Sequence, residues 1–458
     1  MRNAITTEQK EYKELEIILS SFACDKNCPY CTAKITKWKE TEDDICMLSL
    51  NAAAMKELGY SFHYVTLGGN GEPGLHSLQK LKDIVEIFDG WDIPVKRVLT
   101  SGSLFRAENR EKWKLFVEHG WMFEVTVTSA DWEETAKLQG YDFNYFDTDA
   151  FQKSAVRLNY ALLKKNINTM IEDIKSIAIT YPNIKTIGIK LLNVNTYSGK
   201  SGCEYSNWIV ENAVPKSERE TVAQMLHKDF IYQGEQFDTG SWTFHEGGIE
   251  TEIYFSWKKM PYGFSDLVWY GNRFVNYQLE TINLPLPPKI YIAARFIKER
   301  SENGELSFSK DFRTRMIGCE DNFMNFNSCS FIRDKKDNGK ILAQYVEPFY
   351  NEKASDGEFT NDSCRKVVMT ENRLVECCDI FAVYFDKCGS YGGITEMMYA
   401  LRLGKKIFIY FEDEGNVNYD LKSSSWYPIT FAMLADQNIT AVPVCSGKEA
   451  GKEIEKIL

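Results

Sequence analysis

Two rhythms of hydrophobic and polar positions alternate along this chain. Short apolar runs bounded by Gly, Ser or Asn predict buried strands. Stretches with apolar residues every three or four positions predict the helices between them. Leu15–Leu19 reads as a strand running into a loop, and Ser49–Leu58 has helix composition and stops at Gly59. Phe62–Leu67, Val95–Thr100 and Met122–Thr128 predict three further strands. The stretch from Phe151 to Thr180 is helical in period, and Ile184–Leu191 predicts a fifth strand with Lys190 near its end. Strands spaced by helices of this length imply right-handed parallel βαβ units. Residues 1–284 are therefore expected to form a partial (β/α) barrel, with its chemistry at the carboxyl ends of the strands.

From Tyr197 to Tyr277 the pattern is less regular and rich in aromatic residues, among them Trp208, Trp242 and Trp269. These are expected to pack as core or lid, and His227 and His245, which lack a partner at a telling spacing, to be structural. Leu284-Pro285-Leu286-Pro287-Pro288 is the clearest linker, held extended by its prolines. An α/β pattern then restarts over residues 285–458. Lys289–Ala294, Asp379–Phe385 and Lys406–Phe411 predict strands, and Gly389–Glu396 a glycine loop opening onto a helix. That order places backbone N–H groups at a helix N-terminus, where an anion is favoured. The expected fold is α/β throughout: a partial barrel followed by a Rossmann- or flavodoxin-like domain.

Composition narrows the classes of function. With 458 residues, 44% of them hydrophobic, the chain has ample material for two or three domain cores. The opening MRNAITTEQKEYKE carries no apolar signal region, and no apolar run approaches the ~20 residues needed to span a bilayer. A soluble, cytoplasmic protein with reduced thiols is expected, its 12 cysteines notwithstanding. A net charge of −11 disfavours an extended grip on a nucleic-acid backbone and favours a small substrate. The vicinal Cys377-Cys378 reads as two reduced residues near a helix end.

The cysteines at 24, 28 and 31 carry the sharpest chemistry. Three thiolates spaced C-x3-C-x2-C on one short loop suit an iron–sulfur cubane and leave one iron open to a small molecule. A structural zinc site would ask for a fourth ligand and, as a rule, a second C-x2-C, which is absent downstream; unpaired core cysteines are the other plain alternative. Cys24, Cys28 and Cys31, with Tyr30 before the last, resemble the signature of the radical S-adenosylmethionine (SAM) enzymes. The resemblance implies a [4Fe–4S] cluster on the three cysteines, SAM on its open iron, and a 5′-deoxyadenosyl radical that abstracts hydrogen. It also implies an electron donor such as flavodoxin or ferredoxin. After the next strand, Gly68-Gly69-Asn70-Gly71-Glu72-Pro73 lets the backbone approach a ligand, though an ordinary glycine turn would look the same. It is similar to the family's "GGE" segment, which implies SAM contacts for Gly68, Gly69, Gly71 and Glu72. Thr100-Ser101-Gly102-Ser103 resembles the family's TNG segment, with Ser101 in place of Asn. By the same likeness Thr100 and Ser103, and Ser129 at the end of the following strand, are expected near the cofactor.

Residues 289–411 resemble the nucleoside 2-deoxyribosyltransferase and nucleotide N-glycosidase superfamily. The resemblance implies that Glu396 is the nucleophile toward C1′, that Tyr291 lies near the nucleoside, and that Glu371 contacts the base. Ser390, where members acting on free nucleosides carry Asp, implies a 5′-monophosphate, held with the N–H groups of Gly392 and Gly393. A hydroxyl there accepts phosphate where a carboxylate would repel it, and Arg295 offers a further charge-assisted contact. Glu396 read by itself is equally a helix N-terminal residue complementing the dipole. The two halves together resemble queuine lyase, a radical SAM family releasing the 7-deazaguanine base queuine from queuosine 5′-monophosphate. A bifunctional enzyme in which Glu396 hydrolyses a radical-modified nucleotide, and a radical enzyme with a nucleotide-sensing second domain, are the alternatives.

Overall fold

A computed structural model describes residues 10–19, 24–31, 41–69, 71–192, 204–236, 239–256, 266–276, 279–293, 298–300, 306–308, 330–333, 340–346, 361–385, 391–412, 438–444 and 447–458. The chain divides into two compact units. One comprises Met1–Leu48 with Leu58–Leu284, the other Ser49–Glu57 with Pro285–Leu458.

In the first unit six strands run parallel, each beside the one before it: β1 (Glu11–Leu19), β2 (Ser61–Gly69), β3 (Val95–Leu99), β4 (Met122–Val127), β5 (Val156–Leu162) and β6 (Ile184–Leu191). Their connections carry α1 (Ile45–Glu57), α2 (Leu78–Ile87), α3 (Arg110–Glu118), α4 (Trp132–Gln139), α5 (Asp149–Gln152) and α6 (Met170–Thr180). Beyond β6 come α7 (Glu204–Asn212), α8 (Arg219–Asp229), β7 (Ile231–Gln236), β8 (Thr239–Glu246), β9 (Ile249–Phe255), β10 (Asp266–Tyr270) and β11 (Arg273–Val275). β9 adds to β6 in parallel and β8 and β7 follow antiparallel; on the far edge β10 pairs parallel with β1 and carries β11.

Each of the central strands has an apolar face and a polar one. On β5, Leu158, Tyr160 and Leu162 are buried, and the Tyr160 hydroxyl reaches Asp173 on α6 at 2.6 Å, so these residues face the helices. Arg157 and Asn159 then point to the opposite, inner face. The sheet curls around that face. Glu14 on β1 acts electrostatically on Lys190 of β6, and Tyr64 on β2 acts on Tyr254 of β9. A flat sheet would hold either pair about 24 Å apart, five strand spacings, so the curl of a partial barrel is what brings them near.

The sequence expectation fails at one place here. The stretch from Phe151 to Thr180 is not one helical region, since β5 lies inside it and Ile184–Leu191 is the sixth strand. Its period-two signal, Val156, Leu158, Tyr160 and Leu162, is present, but Arg157 and Asn159 fill the alternate positions with lumen polarity. The aromatic residues behave as expected: Trp242 and Trp269 are buried, and Trp242 Nε1 donates to His227 Nδ1 at 3.4 Å.

The second unit has a six-stranded sheet ordered β15-β16-β12-β17-β18-β19. These are β12 (Lys289–Ala293), β15 (Ser330–Arg333), β16 (Ile341–Val346), β17 (Ile380–Phe385), β18 (Lys406–Glu412) and β19 (Ile439–Val444); β13 (Lys298–Arg300) and β14 (Leu306–Phe308) form a separate hairpin. All but the antiparallel edge β15 run parallel. Counted along the chain, the parallel strands stand in the order 2-1-3-4-5, the flavodoxin-like arrangement whose switch point lies between β12 and β17. β12 and β17 are buried along their whole length, as central strands covered on both faces must be. α9 (Asn361–Cys377), α10 (Tyr391–Arg402) and α11 (Gly447–Ile457) complete the unit. Cys377 and Cys378 are buried at the end of α9 and not in a disulfide. α10 starts at Tyr391, so Gly392–Glu396 are already helical rather than loop. The buried positions Gly393, Met397 and Ala400 form one stripe down α10, and that packing overrides the low helix propensity of the glycines. No helix among the described residues is long and apolar enough to cross a membrane.

Candidate active site

The carboxyl ends of β1, β2 and β3 carry three loops that are bonded to one another. In the first, Cys24, Cys28 and Cys31 are not in disulfides, Cys24 exposed and the others half-buried. The loop is closed on itself by Cys31 N donating to Cys28 O (3.2 Å) and pinned to the end of α4 by Asn27 N donating to Gln139 O (3.1 Å). Tyr30 packs with Trp208, Leu192 and Ile209 beneath it, and burial raises its phenol pKa well above the ordinary value. Lys26, its side chain 1% exposed, pairs with Asp25 at 2.8 Å and Asp142 at 3.5 Å and lies over the Tyr141 ring.

Two carboxylates join this loop to the others. Asp25 accepts from Ser103 Oγ (2.6 Å) and Ser101 Oγ (3.2 Å) of the loop after β3. Glu72, in the loop after β2, accepts from Thr100 Oγ1 (2.7 Å), Ser101 N (2.5 Å) and Gly74 N (3.0 Å). Glu72 is 1% exposed; burial raises its pKa, and these same donors oppose that rise. With its oxygens so engaged, the carboxylate ties two loops together. Gly102 completes the knot. Its φ is +95°, and a Cβ there would fall 2.3 Å from Tyr145 Cδ1, so only glycine fits. Gly68 is buried with Glu16 and Leu99 beside it, Gly71 is half-buried, and Thr100 and Ser103 are buried in the knot. Ser129 is engaged locally: its Oγ accepts from Asp131 N at 3.1 Å in the turn leading to α4.

Among the described residues no three His, Cys, Asp or Glu side chains converge on one point as ligands of a single ion do. A cubane does not ask for this, because each thiolate meets a different iron. Three reduced thiols on a closed loop are the donor set such a cluster takes, so the residues fit it.

Inside the barrel, Arg97 is the hub of a charged network that sequence reading missed. Its guanidinium meets Glu14 and Glu124, each at 2.8 Å, and Nε donates to Thr66 Oγ1 at 2.6 Å. Burial pushes the pKa of Glu124 up, but Arg97, Lys190 and Arg157 outweigh it and the net shift is downward. These residues come from separate strands, and only period-two reading of each strand would have found them.

In the second unit Tyr291 is fully buried, its ring stacked on Phe381 at 5.5 Å and 10°. Glu371 on α9 and Glu396 on α10 are half-buried; Gly392 is exposed and Gly393 buried at the start of α10. Glu376 on α9 accepts from the Tyr399 hydroxyl of α10, and Lys405, in the turn after α10, donates from Nζ to Glu376 O (2.6 Å) and Cys378 O (2.7 Å). Arg295 and Ser390 lie outside the described residues.

Comparison with family models and with curated proteins gave no match. Among solved structures, two radical SAM enzymes resemble the chain. SuiB of Streptococcus suis, bound to precursor peptide SuiA, shares 13% identity over 48% of this chain and 46% of its own, with a TM-score of 0.37. anSMEcpe with bound AdoMet shares 13% over 47% of this chain and 59% of its own, with a TM-score of 0.37. The chain thus spans less than two thirds of either protein. A CMP N-glycosidase of Clostridium botulinum, BcmB, shares 22% over 22% of this chain and 75% of its own, with a TM-score of 0.17. At such TM-scores none of these likenesses bears on what the chain does.

Proposed function

We propose that the chain is a radical SAM lyase that releases the 7-deazaguanine base queuine from queuosine 5′-monophosphate. One observation carries the reading: three reduced thiols in C-x3-C-x2-C spacing, on the loop after the first strand of a partial barrel, tied through Asp25 to the loop after β3, which Glu72 ties in turn to the loop after β2. Cys24, Cys28 and Cys31 would hold a [4Fe–4S] cluster, which with SAM supplies a 5′-deoxyadenosyl radical able to take hydrogen from the ribose. Glu72, Thr100 and Ser103 fix the loops, leaving backbone groups of Gly68, Gly69 and Gly71 for SAM. Tyr30 and Lys26 stiffen the cysteine loop from beneath.

The second unit binds the nucleotide in this reading. The N–H groups at the start of α10, with Ser390 and Arg295, take the acid group, while Tyr291, Glu371 and Glu396 position the nucleoside. The chemistry of the bond explains the need for a radical. The 2′-hydroxyl of a ribonucleotide destabilises an oxocarbenium-like transition state. A 7-deazapurine lacks N7, the usual site for protonating the leaving base. Hydrogen abstraction from the sugar avoids both obstacles.

Anaerobic turnover of queuosine 5′-monophosphate, with mass detection of queuine and 5′-deoxyadenosine, tests the proposal. Both products are expected only when SAM and an electron donor are present together. Queuine release in air without SAM would overturn it.

A further inference from the structure

The loops that carry the sequence motifs belong to β1, β2 and β3. On the other side of the curled sheet, β5 and β6 bring together polar groups that the function above leaves unused. Arg157 and Asn159 are two apart on the inner face of β5, and Lys190 stands one residue before the end of β6. Gly188 lies between them: a Cβ there would fall 3.4 Å from Arg157 Nη2, 3.4 Å from Asn159 Oδ1 and 3.6 Å from Lys190 Cε. All three side chains therefore gather around one point above Gly188.

Their bonding is incomplete. Arg97 is satisfied by Glu14, Glu124 and Thr66, whereas Arg157 has a 3.8 Å ion pair with Glu124 and lies over the Tyr254 ring at 5.9 Å, and its buried Nε donates to nothing. Asn159 is 7% exposed; Nδ2 donates to Glu124 Oε1 at 2.6 Å, while Oδ1 accepts from nothing. The amide cannot be turned the other way, because a carboxylate only accepts and the nitrogen must face Glu124. Lys190 is exposed to solvent beside this point, so of the three side chains the buried unpartnered atoms are Arg157 Nε and Asn159 Oδ1 alone. The surrounding walls lower its pKa, with Glu124 acting in the opposite sense. Unpartnered buried polar groups are rare and costly, and they mark a place where a ligand completes the bonding. Two cations and one acceptor call for an acid group with a hydroxyl or N–H beside it.

We propose that Arg157, Lys190 and Asn159 form an anion seat inside the barrel, which takes a phosphate or carboxylate of the molecule on which the first unit acts. Oxyanion oxygens accept from Arg157 and Lys190, and Asn159 Oδ1 accepts from the adjoining hydroxyl. The seat gives the barrel its own site for an acid group; the single phosphate of a nucleoside monophosphate rests either here or at the start of α10, not at both. The seat rests on the radical reading only in calling the occupant the substrate.

Differential acetylation of the full-length chain tests this, with peptide mass spectrometry reading Lys190 and, as internal control, Lys185 on the same strand. Inorganic phosphate, whose own hydroxyl serves Asn159, is expected to slow acetylation of Lys190 saturably, by about tenfold at a concentration ten times its Kd. Lys185 should not respond. Arg157→Gln should abolish the protection, and SAM alone should not confer it. An unchanged Lys190 rate in the wild type would overturn the seat whether or not the variant folds. Protection by SAM equal to that by phosphate would overturn it too, making this the cofactor's place. Protection by phosphate but not by queuosine 5′-monophosphate would leave the seat standing and exclude the nucleotide as its occupant, as expected if the nucleotide's phosphate is held at the start of α10.

Discussion

The cysteine-loop edge of the first unit and the start of α10 in the second both lie where parallel strands end, yet they are built differently. At the first, side chains do the shaping: Asp25 and Glu72 each take hydrogen bonds from a neighbouring loop, and Tyr145 presses on Gly102. At the second, the backbone of a helix start does it; Gly392 is exposed, and a Cβ there would meet nothing within 4 Å. A site shaped by packed side chains is rigid before any ligand arrives, and its small residues are not exchangeable. A site shaped by backbone tolerates substitution at its small residues and relies on the charge it presents.

The largest effect that follows is at Gly102. Gly102→Ala combines a left-handed backbone with a clash against a buried ring, and should cost about 2–5 kcal/mol in chemical denaturation. A loss under about 1 kcal/mol would mean that the knot is softer than it looks. Glu72→Ala comes next. It leaves Thr100, Ser101 and Gly74 without their acceptor and should cost about 1–3 kcal/mol, while also lowering iron retention on reconstitution. Retained iron with lost stability would confine Glu72 to folding alone.

Acid sharpens the same contrast within the barrel. The folded pKa of Glu124 is depressed, so its contribution to stability is complete above the ordinary glutamate value of 4.5 and is lost as pH falls through the lower folded value. Glu72 has the opposite sign. Its folded pKa is raised, so acidification through that value relieves a cost instead of adding one. The gap in denaturation midpoint between wild type and Glu124→Gln should therefore narrow below pH 4.5, whereas wild type should gain on Glu72→Gln as the pH falls, beginning above that value. Both gaps moving together would show that the two carboxylates share one environment. The smallest effect is Gly392→Ala, expected to stabilise by up to about 1 kcal/mol, since the helix gains a better former with room to spare.

Much of this was legible in the sequence because it is contiguous. Cys24–Cys31, Gly68–Glu72 and Thr100–Ser103 are each one short stretch, and the βα rhythm places each after a strand. The bonds that join them are not contiguous: nothing local says that Asp25 meets Ser103 or that Glu72 turns inward to Ser101. The lumen was illegible for a related reason. Glu14, Arg97, Glu124 and Arg157 come from four strands, and each reads singly as one polar residue in an apolar run. Arg157 and Asn159 even disguised their own strand as part of a helix. In the second unit the helix was legible but began earlier than expected, because packing of Gly393, Met397 and Ala400 extends it through the glycines.

The division of labour between the two regions is tested most directly by queuine release from queuosine 5′-monophosphate in two full-length variants. One replaces Cys24, Cys28 and Cys31 with Ala, the other replaces Glu396 with Gln, and both are assayed anaerobically with SAM and reductant. The account predicts no release by the cysteine variant and a weakened but measurable release by Glu396→Gln. Undiminished release by a correctly folded cysteine variant, with none from Glu396→Gln, would contradict it and place the chemistry in the second unit.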